Sequence, residues 1–375
     1  MKIVLTGGGT GGHVYPALAI AERLKLEPTL QPLQCLFVGT RRGYEAKIVP
    51  PAGWPIAYVQ AAPLARTLSL AIVRTFVDNL VGFVQALRIL HRFQPDVAIA
   101  TGGYVAFPVV LALWFVRTLR LSRARIALLE PNARAGLTNR LLRPLVDEVW
   151  LALPDPRQHL ARNERVTGTP VRASFRQNVS AADARVALGL AADKTTIVAF
   201  GGSQGARTLN DAMTTLATRG LPSQWQLLLV TGERDFDGIE SRLRVGAPED
   251  VRVVRYLDDP AGAFAAADLV VARAGASTVA ELAATATPAL LIPYPHATGD
   301  HQTENAAIVG ASGAARVLAD RDLSERTLRA ELVAALEPDA LQAMRDAARR
   351  RAENDPGVLI AARVKAWAPQ NSRDP

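Results

Sequence analysis

Gly7-Gly8-Gly9-Thr10-Gly11-Gly12-His13 is the stretch from which the fold is read. It follows Ile3-Val4-Leu5-Thr6, an apolar run of the length a buried parallel strand needs. It precedes Val14–Leu24, whose apolar spacing and early Pro16 read as an amphipathic helix. Glycines at a strand-to-helix turn remove Cβ atoms and permit positive φ, so backbone can lie against a ligand while helical N–H groups face an anion. Gly7, Gly9 and Gly12 also satisfy G-x-G-x-x-G, a dinucleotide fingerprint that says little outside its full unit. The next strand, Leu33–Gly39, tests that unit, because a NAD-binding domain wants an acidic residue there for the ribose. Thr40-Arg41-Arg42 stands in its place, which leaves only an NADP-type oxidoreductase open.

Outward from this turn the pattern repeats. A helical apolar stretch, Leu64–Phe93, leads to a strand at Asp96–Ala100 that ends in Thr101-Gly102-Gly103-Tyr104. A helix at Phe107–Leu121 and a strand at Ile126–Glu130 follow, the latter ending in Pro131-Asn132. A helix around Thr138–Leu141 and a strand at Asp147–Leu153 complete the series. Such β-loop-α units build a parallel, doubly wound sheet with ligands beyond the carboxyl ends of its strands. Thr167–Arg172 breaks the periodicity with turn and proline residues, and a second series then opens at Thr195–Phe200 with Gly201-Gly202-Ser203-Gln204-Gly205-Ala206. Further strands are expected at Gln226–Thr231, Val251–Leu257, Leu269–Arg273 and Ala289–Pro293. The predicted fold is therefore α/β, with two Rossmann-like doubly wound domains facing a central cleft: residues 1–168 and 173–354, with 169–172 as linker. Residues 355–370 are expected to return as a helix onto the first domain.

Bulk composition agrees with this class. A chain of 375 residues exceeds one ordinary core, and 49% hydrophobic with 21% charged residues describes a globular protein. One cysteine, Cys35, forbids an internal disulfide, and the five histidines lack zinc spacing, so no metal is expected. The formal charge of +8 favours an anionic partner. Nucleic acid is not that partner, since aromatics are only 6% and no nucleic-acid motif appears. The first strand leaves no room for a signal peptide and no run of eighteen apolar residues occurs, so an intracellular protein is expected.

In the second half, Arg273-Ala274-Gly275-Ala276-Ser277-Thr278-Val279-Ala280-Glu281 follows a strand and opens a helix. Ser277 or Thr278 is the expected N-cap, the helix start suits a diphosphate, and Glu281 is placed for ribose hydroxyls. Equally, Thr278-x-x-Glu281 reads as a capping box with no ligand role. Asp300-His301-Gln302 offers side chains for sugar hydroxyls or simply a solvated loop. No nucleophile elbow, P-loop lysine or catalytic cysteine context is present, so transfer from a nucleotide-activated donor fits better than covalent catalysis or NTP hydrolysis.

Six motifs in order, Gly7–His13, Gly102-Gly103-Tyr104-Val105, Ala135-Gly136-Leu137-Thr138-Asn139, Gly168-Thr169-Pro170-Val171-Arg172, Gly201–Ala206 and Arg273–Thr278, resemble the MurG family of GT-B glycosyltransferases. The resemblance covers nearly the whole chain. It implies transfer of N-acetylglucosamine from UDP-N-acetylglucosamine to undecaprenyl-diphosphate-linked lipid I, giving lipid II in peptidoglycan synthesis without a cofactor. It implies Thr10, Gly11 and Gly12 beside donor sugar and diphosphate, Tyr104 in the substrate site, Asn132 and Gln302 on the sugar, and Arg172 and Ser203 on the diphosphate. Leu257 would meet the uracil, while Ala276, Ser277, Thr278, Val279, Ala280 and Glu281 would hold diphosphate and ribose.

Departures are visible too. Leu129-Glu130-Pro131-Asn132 stands where the family usually has His-Glu-Gln-Asn, and Ala61–Arg66 replaces a glycine- and basic-rich loop. His13, ending the first loop, is the expected general base, since imidazole as a group titrates near neutrality, with Glu130 the alternative. An α-linked donor and β-linked product imply one in-line, inverting displacement. Because a lipid tail stays in the bilayer, the first domain is expected to lie peripherally on the anionic cytoplasmic face of the membrane. Leu68, Ile72, Phe76, Leu80 and Phe83 with Arg66 and Arg74, and Trp114-Phe115 with Arg117, Arg120, Arg123 and Arg125, are the stretches that fit such a surface. Other readings are a diacylglycerol glycosyltransferase, a UDP-N-acetylglucosamine epimerase, an NADP-dependent oxidoreductase and a non-catalytic membrane binder.

Overall fold

The structure, a computed structural model, describes residues 1–63, 71–155, 159–202, 205–244, 250–257 and 260–368, with the side chains of 71–73 outside that description. The chain divides into two compact units, one of Met1–Arg172 with the residues from Asp355 on, the other of Ala173–Asn354.

The first unit is built on seven parallel strands: β1 Lys2–Gly7, β2 Gln34–Gly39, β3 Ile56–Tyr58, β4 Val97–Gly102, β5 Arg125–Glu130, β6 Glu148–Leu151 and β7 Glu164–Val166. Their order is β3-β2-β1-β4-β5-β6-β7. The strand order reverses between β1 and β4, where open α/β sheets bind ligands. The turns Gly7–His13 and Gly102–Tyr104 both leave the sheet at that point. Buried on both faces, β1 and β4 read as unbroken apolar runs rather than alternating ones. The helix Gly11–Lys25 sends Val14, Ala17, Leu18, Ala21 and Leu24 into a core with Ile3, Leu5 and Ile99.

The C-terminal helix Pro356–Ala366 buries Ile360, Ala361 and Val364 in that same core. Its grip is reinforced by Arg363 on Glu148, by Lys365 on Glu27 at 2.7 Å, and by Trp367 stacked on Trp150 at 6.0 Å. Truncating Ile360 to alanine would cost about 2–5 kcal/mol of this packing. Residues 169–172, expected as a linker, are instead built into the first unit. Thr169 and Pro170 are buried, and the Arg172 guanidinium lies 4.9 Å from the centre of the Tyr15 ring.

The second unit has six parallel strands: β8 Thr195–Phe200, β9 Trp225–Val230, β10 Val251–Val254, β11 Leu269–Ala272, β12 Ala289–Leu291 and β13 Ala315–Val317, ordered β10-β9-β8-β11-β12-β13. Its reversal lies between β8 and β11, so Gly201–Ala206 and Arg273–Ala276 leave the sheet there. The strand expected to reach Leu257 stops at Val254, and the Arg255 side chain beyond it bonds Glu233 and Asp237.

Half of the arginine cluster expected to be free for a membrane is already engaged. Arg117 reaches Asp147 through both terminal nitrogens, at 2.7 and 3.0 Å, and Arg125 adds a third contact at 3.0 Å. Arg120 and Arg123 remain exposed. The helix carrying Arg117, Ala106–Thr118, ends before Arg120, whose φ of 59° breaks the helical run.

Candidate active site

In the first unit, Thr10 caps the helix in extended conformation without a side-chain cap bond, and its Oγ1 lies 3.1 Å from His13 Nδ1. Thr101 Oγ1 donates to the His13 carbonyl at 2.7 Å, joining the β1 and β4 turns. Gly102 and Gly103 hold φ of 97° and 80°, and a Cβ on Gly102 would lie 2.9 Å from His13 Cδ2. The glycine pair therefore admits the imidazole as well as the backbone bend. Tyr104 closes the other side, its ring against Gly9. His13, Thr10 and Tyr104 thus share one site, with Gly11 packed on Tyr15 and so close to Arg172.

Glu130 has a different environment from the one a base needs. It is 3% exposed at the end of β5. Oε1 accepts from the Asn132 N–H at 3.0 Å, and Oε2 accepts from Asn139 Nδ2 at 2.8 Å and the Gly136 N–H at 3.3 Å. Burial pushes its carboxyl up, and these bonds pull the other way. Both oxygens accept from donors between Asn132 and Asn139, so Glu130 organises the loop that carries Asn132. Asn139 sits beside Gly102 and links this turn to the one holding His13.

Sequence reading missed Glu45. It is 1% exposed, its Oε2 accepts from the Gly9 N–H at 3.1 Å, and its Oε1 accepts from Thr40 N and Oγ1 at 2.7 and 2.8 Å. The anion met by the first glycine turn at Gly9 is therefore one of the protein's own.

In the second unit Ser203 and Gln204 lie outside the described residues, while Gly202 and Gly205 flank them at φ of 81° and 74°. The helix Ala276–Ala284 is capped by Gly275 with no side-chain bond, which corrects the expected Ser277 or Thr278 cap. Thr278 is its third residue and Glu281 its sixth, so no Thr278–Glu281 capping box forms. The first backbone bond of the helix is Val279 N–H to Gly275 O, leaving the N–H groups of Ala276, Ser277 and Thr278 outside the helical ladder. Ser277 Oγ is buried with no hydrogen-bond partner among the described residues. A helix start presenting these groups suits a diphosphate. Val279 and Glu281 are buried, and Ala280 is half-buried on the same turn.

Arg273 fixes this turn from behind. Its guanidinium donates to Asp320 at 2.5 Å, to Thr208 Oγ1 at 2.7 Å and to the Ile292 and Pro293 carbonyls. Gln302 spends its side-chain carbonyl on the Tyr294 N–H at 3.0 Å, and His301 Nδ1 lies 2.7 Å from the Thr298 carbonyl. Leu257 follows β10, beyond the strand's end. Among the described residues no group of three or more His, Cys, Asp or Glu could hold a metal.

The two sheets, each with a glycine turn at its reversal point, match the glycosyltransferase family 28 N-terminal domain over residues 3–151 and its C-terminal domain over 196–356. They define a GT-B glycosyltransferase. A relative from Halothermothrix orenii is 38% identical over 338 residues, covering 88% of each chain, and one from Desulfitobacterium hafniense is 39% identical over 369 residues, covering 95% of this chain and 96% of the other. Both are named UDP-N-acetylglucosamine–N-acetylmuramyl-(pentapeptide) pyrophosphoryl-undecaprenol N-acetylglucosamine transferase. The crystal structure of Acinetobacter baumannii MurG superposes with a TM-score of 0.76 at 27% identity, covering 97% of this chain and 99% of that one. The chain belongs to the MurG family.

Proposed function

We propose that this enzyme transfers N-acetylglucosamine from UDP-N-acetylglucosamine to the muramoyl-pentapeptide of lipid I, forming lipid II by a single inverting displacement. The observation that carries this reading is the similarity to enzymes named for that reaction, spread over nearly the full length of both chains. The site chemistry supports it. The acceptor hydroxyl oxygen attacks the sugar C1, the bond from C1 to the diphosphate oxygen breaks, and UDP leaves toward the N–H groups of Ala276–Thr278. His13 takes the hydroxyl proton. For Nε2 to accept it, Nδ1 must carry hydrogen, and Thr10 Oγ1 at 3.1 Å is placed to accept from that N–H. Thr10, Gly11, Gly12, Tyr104, Asn132, Arg172, Ser203, Leu257, Gln302 and Ala276–Glu281 are the substrate-binding residues in this reading.

Lipid I is anchored, so the first unit meets a membrane surface at its cytoplasmic face. No described helix is long and apolar enough to cross a membrane. The helix Ala71–Phe93 instead presents an exposed apolar face: Phe76 at 66%, Leu80 at 51%, with Val77, Val81 and Val84. Phe83 and Phe115 meet edge to face at 5.8 Å and join this helix to Ala106–Thr118, where Phe115 and Leu119 are also exposed. Exposed Arg74, Arg88, Arg120 and Arg123 suit anionic headgroups. Arg66 and Leu68, expected here as well, lie outside the described residues.

The direct test is UDP release from UDP-N-acetylglucosamine with and without lipid I, with the lipid product identified by mass. Release that needs lipid I and yields lipid II is expected. Release without an acceptor, or conversion of the donor to its C2 epimer, would overturn the reading.

A further inference from the structure

We propose that Glu45 is a positioning residue for the transfer: its buried carboxylate sets the Gly7–His13 turn and so the place of Thr10 and His13. The inference rests on the reading of His13 given above. Glu45 is the first residue of a short helix, Glu45–Ile48, after β2, while the turn it holds follows β1. Three donors converge on it, Gly9 N–H on one oxygen and Thr40 N–H and Oγ1–H on the other. Among the described residues no cation pairs with it, and a buried carboxylate without one is costly to keep. What the charge gains is acceptance at both oxygens.

The surrounding glycines follow from the same carboxylate. A Cβ on Gly8, Gly39 or Gly43 would collide with the Glu45 side chain. Gly8 is not at positive φ, and the three atoms nearest a Cβ added there all belong to Glu45, at 2.5–2.6 Å. Part of the glycine run thus makes room for an internal anion.

An amide cannot replace this group. In Glu45→Gln, an oxygen that keeps the Thr40 donors leaves NH2 facing the Gly9 N–H, donor against donor. The flipped amide strands the Thr40 N–H instead, while the Thr40 hydroxyl must turn round to accept. The turn then shifts, and misplacing a reacting group by about an ångström costs about 100-fold in rate. Glu45→Gln is therefore expected to lower kcat about 100-fold with an unchanged KM for UDP-N-acetylglucosamine, whose cradle lies in the other unit. Amide hydrogen exchange over Gly9–His13 should rise in the same variant. Gly8→Ala should reproduce both effects alone and add nothing in a Glu45→Ala background, as residues in contact do, while the fall in kcat at unchanged KM is what a merely structural role would not produce. Unchanged kcat and exchange in Glu45→Gln, or additive Gly8→Ala and Glu45→Ala effects, would overturn the proposal. If Glu45→Gln does not fold, Thr40→Val removes only the hydroxyl donor and carries the same readouts. If the unaltered enzyme shows no lipid-I-dependent UDP release, the transfer reading fails separately, and the exchange arm still decides whether Glu45 sets the turn.

Discussion

The two units share a parallel sheet with one reversal of strand order, and in each a small-residue turn enters a helix at that point. They use the turn differently. At Gly9 the first unit satisfies a backbone N–H with its own Glu45 and lays an imidazole against Gly102-Gly103. The second unit caps its helix with Gly275 and, among the described residues, puts no side chain on the Ala276–Thr278 N–H groups and gives the buried Ser277 Oγ no partner. In the proposed transfer the first turn carries the reacting side chain and the second receives the donor's diphosphate, which would divide the labour between catalysis and donor binding.

The largest test of that division is His13→Ala. Losing a general base costs about 10²–10⁴-fold in kcat, so the variant should turn over slowly while UDP binding, measured by calorimetry, stays as in the parent. Near-normal kcat would remove His13 from the role and leave the first turn without chemistry. A second difference between the units is the exposed apolar face of the helix Ala71–Phe93. Phe76→Ser with Leu80→Ser should weaken sedimentation with anionic vesicles roughly 100-fold, from at least about 3 kcal/mol of lost apolar burial, without lowering the melting temperature. Unchanged sedimentation would move the lipid-facing surface elsewhere.

On the donor side, Glu281→Gln should raise the KM for UDP-N-acetylglucosamine about ten- to hundredfold, the scale of one hydrogen bond to a charged group, with the helix intact because Glu281 does not cap it. Ser277→Ala should act in the same direction more weakly and leave stability unchanged, since the hydroxyl has no partner to lose among the described residues. An unchanged KM with a lowered melting temperature in Glu281→Gln would make the residue part of the packing, and the open-turn reading would lose its main support.

The long buried strands were legible because strands covered on both faces read as unbroken apolar runs, and the reversal points followed from where the glycine turns fall. The edge strands Ile56–Tyr58, Glu164–Val166 and Ala315–Val317 escaped reading, since three residues carry neither a run nor an alternation. Glu45 escaped for another reason. Its meaning lies in four glycines, Gly8, Gly9, Gly39 and Gly43, and in Thr40, and no spacing rule joins Gly8 to Glu45. The capping box at Thr278–Glu281 misled because its spacing is right while its register is wrong: the cap lies three residues before Thr278, at Gly275. Arg117 and Arg125 looked like a free basic cluster because Asp147 arrives only later in the chain.

That pairing supplies the smallest and most specific test. Asp147 is half-buried, which alone would raise its carboxyl. Hydrogen bonds from the Ile126 N–H, Arg117 and Arg125 outweigh burial and hold it below the usual carboxylate range. A carboxylate lowered in the folded state contributes stability that is present above its unfolded pKa and is lost as pH falls through its folded one. Arg117→Gln removes the two-pronged partner and should cost about 1 kcal/mol near neutral pH, shrinking as the solution is acidified below about pH 4. Tryptophan fluorescence would follow this unit, with Trp150 stacked on Trp367 in its core. The variant should keep its vesicle binding, because Arg117 faces Asp147 rather than lipid. If it instead loses vesicle binding at unchanged stability, the arginine belongs to the membrane surface and the exposed face of the helix Ala71–Phe93 does not act alone.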